Sequence, residues 1–294
     1  MELKDLRYFL EVVHYRSFTK AAINTYISQP TLSKSIKKLE TDLNVELFER
    51  STRKLKLTDA GELVYKQALK ILGATNELHT LLDDLMNLPT GKIKIGIPPL
   101  IGTLFFPTIA QKFGREHAQV SLELIELGAK RIENLVDEGQ VDVGIVVHPT
   151  DYSKFEVQPF IKEEFMLFTH PTHPFSNEKS VKLEQLEHES FILFNQEFAL
   201  HHLIIQHCQN AGFMPEIAHL SSQWDLIAEL VIAQLGVTLL PKSIYSKMDQ
   251  SFINMIPLEK PPMWELLVIT KKDRYQSFAM RALLKFLTKE FPNN

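Results

Sequence analysis

Ser28-Gln29-Pro30-Thr31-Leu32-Ser33-Lys34-Ser35-Ile36-Lys37-Lys38-Leu39-Glu40 decides how the first sixty residues are read. Ser28 suits a helix N-cap, and Pro30 falls in the first turn, where its missing N–H costs nothing. Leu32, Ile36, Leu39 and Leu43 recur at helical spacing and predict a buried stripe. The opposite face is Gln29, Thr31, Ser33, Lys34, Lys37 and Lys38. That face has the chemistry of a major-groove reader. Gln pairs with adenine, Ser and Thr bond base edges or phosphates, and Lys reaches guanine or phosphate. The N-terminus of such a helix also favours a phosphate. A merely solvated helix face would account for any one of these residues, but less well for the ordered set.

Upstream, Leu3, Leu6, Phe9, Leu10 and Val13 predict an amphipathic helix from Leu3 to Tyr15. Ser17 or Thr19 can cap a short second helix carrying Ala21, Ala22 and Ile23, with two alanines that let another helix approach closely. Asn24-Thr25-Tyr26-Ile27 makes the turn into the capped helix. Downstream, Leu55 and Leu57 alternate with Lys54 and Lys56, as in a strand. Arg50, Arg53 and Lys54 bracket a polar turn suited to lie along phosphates. The sequence of elements predicts a winged helix-turn-helix over residues 1–57.

Here a family pattern emerges. The spacing AxxxxxSQPxxSxxIxxLExxLxxxLFxRxxxxxxLTxAG runs from Ala22 through Ser28-Gln29-Pro30, Ser33, Ile36, Leu39-Glu40, Leu43, Leu47-Phe48, Arg50 and Leu57-Thr58 to Ala60-Gly61. It resembles the N-terminal domain of the LysR-type transcriptional regulators. The resemblance implies that this segment binds double-stranded operator DNA. The candidate DNA-binding residues are Ser28, Gln29, Pro30, Thr31, Ser33, Lys34 and Lys37 on the helix, with Arg50, Arg53 and Lys54 on the wing.

From Thr58 a second pattern begins. Thr58 suits an N-cap, and Asp59 and Glu62 match the dipole of the first turn. Leu63, Leu69, Leu72, Leu78, Leu81, Leu82 and Leu85 then recur without proline. Residues 58–88 read as a linker helix ~45 Å long at ~1.5 Å per residue, suited to an arm against a partner. The resemblance implies antiparallel pairing of two such helices in a dimer, and a homotetramer built from dimers. Pro89-Thr90-Gly91 ends the helix and opens the second domain, 89–294.

In that domain, strands alternate with helices. Lys92–Ile97 is a strand broken by Pro98-Pro99, and a helix with Leu104, Phe105, Ile109 and Phe113 follows. Val120–Leu127, Val141–Val147, Glu163–Thr169, Phe191–Phe194, Glu216–Leu220, Gly236–Leu240 and Trp264–Thr270 read as further strands. Helices fall at Arg131–Glu138, Trp224–Gln234 and Ser277–Phe291. The pattern predicts a doubly wound α/β body. It is similar to the two-lobed, periplasmic-binding-protein-like effector domain of the same family, with lobe I at 92–161 and 269–294 and lobe II at 162–268. The fold class is therefore α+β overall: an N-terminal winged helix-turn-helix, a long linker helix and a two-lobed α/β domain. The stretches 190–198, 220–231 and 263–274 resemble the CidR branch, which implies a small carboxylate such as acetate or pyruvate as effector.

Ligands of open α/β sheets lie at the carboxyl ends of strands, where helix N-termini gather. By that rule the candidate effector residues are Pro99, Leu100, Ile101, Thr103, His148, Asn195, Phe198, Ser222, Gln223 and Trp224, with Ser222 suited either to cap the helix it precedes or to donate to an anion. Family members commonly carry a hydroxyl just after the first strand, where this chain has Pro98 and Pro99. A more apolar pocket follows, and it weakens the carboxylate reading.

Composition bounds the rest. The 294 residues carry a net charge of −4, with 45% hydrophobic and 23% charged residues and a single cysteine. Disorder is excluded, and two domains fit the length. The charge is uneven: residues 1–60 sum to +3 and the remainder to −7, the pattern of a small nucleic-acid module on a separate sensing body. No apolar run approaches the ~20 residues that span a bilayer, so no membrane partner is expected. The N-terminus lacks the features of a signal peptide, which predicts a cytoplasmic protein. No HExxH, zinc spacing, GxGxxG, Walker loop or G-x-S-x-G elbow occurs, so no metal, no cofactor and no enzymatic activity are expected. Eleven histidines read as exposed or capping, and Cys208 as buried and inert. The expected partners are operator DNA, a small-molecule effector, further copies of the chain and RNA polymerase. Two rival readings are a solute-binding protein or enzyme with a two-lobed body, and an architectural DNA binder.

Overall fold

The computed structural model describes residues 1–49, 55–85 and 91–292. The chain divides into two compact units, each built around its own core.

The first unit is helical. α1 (Leu3–Tyr15), α2 (Phe18–Asn24) and α3 (Gln29–Leu43) form the helix-turn-helix, followed by α4 (Asp59–Leu85). Their core holds Leu6, Phe9, Val12, Ala21, Ala22, Leu32, Ile36, Leu39, Leu47 and Phe48. Ala21 and Ala22 are buried, as close helix approach requires. Between α3 and α4, Phe48 bridges Leu57 in antiparallel fashion, and the Glu49 N–H donates to the Lys56 carbonyl at 2.9 Å. Residues 50–54, with the candidate wing residues Arg50, Arg53 and Lys54, lie outside the described residues.

Much of the family pattern is structural. Glu40 accepts the Leu47 N–H at 2.8 Å. The Thr58 hydroxyl donates to the Glu46 carbonyl at 2.6 Å and accepts the Gly61 N–H at 2.9 Å. That is the N-cap bond expected at the start of α4. Gly61 is required by contact: a Cβ there would stand 2.2 Å from the Leu47 carbonyl oxygen.

The second unit is α/β. A seven-stranded sheet runs β2 (Val120–Glu126), β1 (Gly91–Ile97), β3 (Val143–Val147), β9 (Met263–Lys271), β4 (Phe155–Thr169) and β7 (Thr238–Pro241), with β8 (Asn254–Pro257) also on β4. β5 (Ser190–Phe194) and β6 (Glu216–Ser221) form a separate parallel pair. The helices are α5 (Pro99–Glu116), α6 (Ala129–Asp137), α7 (Ala199–Asn210), α8 (Trp224–Ile232) and α9 (Phe278–Glu290).

The sheet is covered on both faces. Val143, Ile145 and Val147 of β3 enter the main core with α5 and α9, while Val146 joins a second cluster with Ile132 and Val136 of α6. Alternation along a strand produces this division. Gly144 belongs to the α6 side: a Cβ there would meet Ile132 at 2.8 Å.

One boundary departs from the sequence expectation: β4 begins at Phe155, not Glu163. β3–β9 and β4–β9 are antiparallel, so the sheet is mixed. β4 and β9 pair along most of their lengths, and Leu266, Leu267 and Val268 stand opposite β3.

Candidate nucleic-acid interface and effector cleft

α3 is built as a capped helix with one free polar face. Ser28 is its N-cap, accepting the Thr31 N–H at 3.3 Å and sharing a 2.7 Å hydrogen bond with the Thr31 hydroxyl. Gln29 donates from Nε2 to the Ser33 hydroxyl at 2.8 Å. That bond steers the amide along the helix surface and leaves Oε1 and a second N–H for a partner. Leu32, Ile36 and Leu39 are buried, and Leu43 is half-buried. Gln29, Pro30, Thr31, Lys34 and Lys37 are exposed, and Ser33 is half-buried.

The three lysines of that helix differ. Lys34 and Lys37 make no ion pair among the described residues. Lys38 is held from behind: its ammonium lies 2.5 Å from Glu2 and 3.6 Å from Asp5. The Lys38 and Lys4 ammonium groups hold the Glu2 carboxyl well below its usual range, at about 2. Asp5 is 1% exposed, and accepts the Ser35 hydroxyl at 2.6 Å and the Glu2 N–H at 3.1 Å. A carboxylate this buried needs such partners. It ties the start of α1 to the middle of α3.

In the second unit, a small cleft partly open to solvent is lined by Pro98, Leu100, Ile101, Ala129, Val147, Phe194, Phe198, Ala199 and Leu200. The first turns of α5, α6 and α7 meet there with the ends of β3 and β5. Every lining residue is apolar. His201 anchors the wall: its ring Nδ1 donates to the Phe194 carbonyl at 2.7 Å, an assignment that follows because a carbonyl only accepts. The histidine pair at 201–202 thus contains one buried strut.

Of the candidate effector residues, Leu100, Ile101 and Phe198 line this cleft. Pro99 sits in the first turn of α5 beside it. The Thr103 hydroxyl turns back to the Pro99 carbonyl at 3.1 Å. His148 is exposed, with Nδ1 3.4 Å from the Tyr152 hydroxyl. Asn195 holds the Phe198 N–H at 3.0 Å through its carbonyl, and its side-chain Oδ1 is buried without a partner among the described residues. Ser222 and Gln223 are exposed, and Trp224 packs against the main core. The expected N-cap role of Ser222 is corrected: Gln223 is the N-cap of α8, without a side-chain bond. Ser221, the inward-facing end of β6, accepts the Gln223 N–H at 3.0 Å.

Pro98, expected to make the pocket more apolar, does line it. Sequence reasoning missed Ala129, Val147, Phe194, Ala199 and Leu200. Four of these lie one or two residues from a candidate, so the strand-end rule found the region but not the inward-facing register. Ala129 opens α6 just after β2, and the same rule applied there would have found it.

Among the described residues no cluster of His, Cys, Asp or Glu could hold a metal ion. Cys208 is buried on α7, and burial pushes its thiol up to about 12. A thiol so protonated at neutral pH is a poor nucleophile.

Two family models match the chain. Residues 3–62 match the bacterial regulatory helix-turn-helix protein of the lysR family, and residues 87–292 match the LysR substrate binding domain. The chain is 43% identical over 286 residues to the uncharacterized HTH-type transcriptional regulator YwbI of Bacillus subtilis, covering 97% of this chain and 95% of that one. It is 32% identical to the transcriptional dual regulator GltC of the same organism, covering 92% and 91%. Among solved structures, a full-length OxyR variant from Pseudomonas aeruginosa matches with a TM-score of 0.79 and 26% identity, covering 98% of this chain and 95% of that one. The chain belongs to the LysR family: it is a DNA-binding transcriptional regulator with a C-terminal effector-binding domain.

Proposed function

We propose that α3 reads the operator through Gln29, Pro30, Thr31, Ser33, Lys34 and Lys37, and that a small molecule entering the cleft of the second unit changes how the protein sits on DNA. The observation that carries this reading is the capped α3 with Lys34 and Lys37 exposed and making no ion pair among the described residues. The proposal includes wing contacts from Arg50, Arg53 and Lys54, and domain boundaries at 1–57, 58–88 and 89–294, with lobe I at 92–161 and 269–294 and lobe II at 162–268.

The lining offers the effector apolar walls and no cationic side chain. A carboxylate such as acetate or pyruvate would rest its charge on the backbone N–H groups opening α5, α6 and α7. The geometry therefore favours an effector with a substantial apolar part. Its binding can shift the lobes only by favouring one arrangement over another.

Self-association is assigned to α4, where Leu63, Leu78, Leu82 and Leu85 are exposed. Such a row on a long helix is suited to a partner helix. A dimer so formed, and a tetramer of dimers, would multiply the small positive charge of each reading head. No helix among the described residues is long and apolar enough to cross a membrane, which accords with work in the cytoplasm. The reading includes contact with RNA polymerase when bound near a promoter, and no catalysis.

The test is footprinting on the DNA upstream of the protein's own coding sequence, with and without a metabolite panel that pairs neutral apolar compounds with their carboxylates. A salt-sensitive footprint whose extent shifts with an apolar member is the expected result. No footprint would refute the operator-reading assignment, and a footprint indifferent to every metabolite would refute the sensing half.

A further inference from the structure

Tyr26 lies in the turn between α2 and α3 with a φ of 55°, and it is 95% exposed. Left-handed backbone is unfavourable for an aromatic residue, whose Cβ crowds the neighbouring carbonyl. A strained, bulky residue persists where something requires it. The fold does not require this side chain. The turn is closed by backbone bonds: the Tyr26 N–H donates to the Ile23 carbonyl at 3.2 Å, and the Ile27 N–H to the Ala22 carbonyl at 3.1 Å. At its exposure the ring buries almost nothing within the protein.

Its position supplies a use. Tyr26 precedes the N-cap Ser28 by two residues, and Ile23, in the last turn of α2, is 71% exposed. In a helix-turn-helix the N-terminal residues of the second helix approach base edges, while the preceding helix crosses the backbone. A residue at the joint therefore meets sugar and phosphate. We propose that Tyr26 is a DNA-contacting residue: its ring lies on a deoxyribose beside Ile23, and its phenol donates to the adjoining phosphate. The contact adds affinity without charge. The inference rests on α3 being the recognition helix, and extends the interface beyond it.

The experiment uses the full chain and duplex DNA recovered by the wild-type protein from a random-sequence pool. Tyr26→Asn removes the ring while keeping a residue that tolerates left-handed backbone. Tyr26→Phe removes only the hydroxyl. Tyr26→Asn is expected to weaken binding about tenfold and Tyr26→Phe about threefold. The melting temperature of Tyr26→Asn should hold or rise, and the salt slope should not change, because no charge is lost. Opposite movement of affinity and stability separates a contact from a structural role. Binding of Tyr26→Asn within twofold of wild type, or a loss that tracks a lower melting temperature, overturns the proposal. If Lys34→Ala weakens binding while Tyr26→Asn does not, only Tyr26 is excluded. If the wild-type protein recovers no DNA, the recognition-helix reading and this inference fall together.

Discussion

Lys37 and Lys38 are adjacent in the chain and opposite in circumstance. Helical spacing places both on the polar face of α3. The structure leaves Lys37 in solvent and binds Lys38 to Glu2 and the buried Asp5. A lysine that neutralises a phosphate steepens the salt dependence of binding by about one counterion. Lys37→Ala is therefore expected to reduce the slope of log affinity against log salt by about 1, measured by titration at several salt concentrations. Lys38→Ala should leave that slope unchanged and lower thermal stability instead, since Asp5 loses its nearby cation. The difference is not legible in the sequence, because it depends on α1 crossing α3 at Glu2 and Asp5. Cys208 was legible: a lone thiol in an apolar segment is buried, and its proton is correspondingly hard to remove.

At the scale of elements, helices and caps follow local rules and were readable. α1 runs from Leu3 to Tyr15, as its apolar spacing predicts, and Ser28 and Thr58 cap where their positions suggest. Gly61 shows what a motif position is for. With the Leu47 carbonyl 2.2 Å from any Cβ, Gly61→Ala must push α4 away from the segment at Leu47. Overpacking of this kind costs about 1–3 kcal/mol. Thermal unfolding followed by circular dichroism should show the N-terminal unit melting several degrees lower, with the second unit unchanged. The first half of β4 was less readable. Pro159 interrupts Phe155–Lys162, and proline argues against a central strand. The structure accommodates it at a register shift between Pro159 and Ile161, where the ladder does not need its missing donor.

At the scale of the whole molecule, two kinds of surface divide the work. One is a polar-basic helix face on a helical unit, and the other is an apolar cleft where three helices of the α/β unit begin. Ala129 is the smallest way to separate them. Ala129→Trp would fill the cleft from the start of α6 without touching α3. It is expected to abolish the metabolite-dependent change in the footprint, while the metabolite-free footprint keeps its position and its affinity within about twofold. Loss of both responses together would place the effector's action elsewhere. The charge division follows the same line: the excess of basic residues lies in the first sixty positions, and the acidic excess beyond them.

The sequence by itself determined the helix-turn-helix, its capped polar helix, the long leucine-bearing α4 and the alternation of strands and helices after it. Each rests on spacing, capping chemistry or proline placement, which act over a few residues. Tertiary structure decided the antiparallel insertion of β9 between β3 and β4, the capture of Lys38, and which side chains line the cleft. Those depend on contacts between residues far apart in the chain. A strand's partner, a lysine's counter-ion and a pocket's inward register are properties of the packed whole.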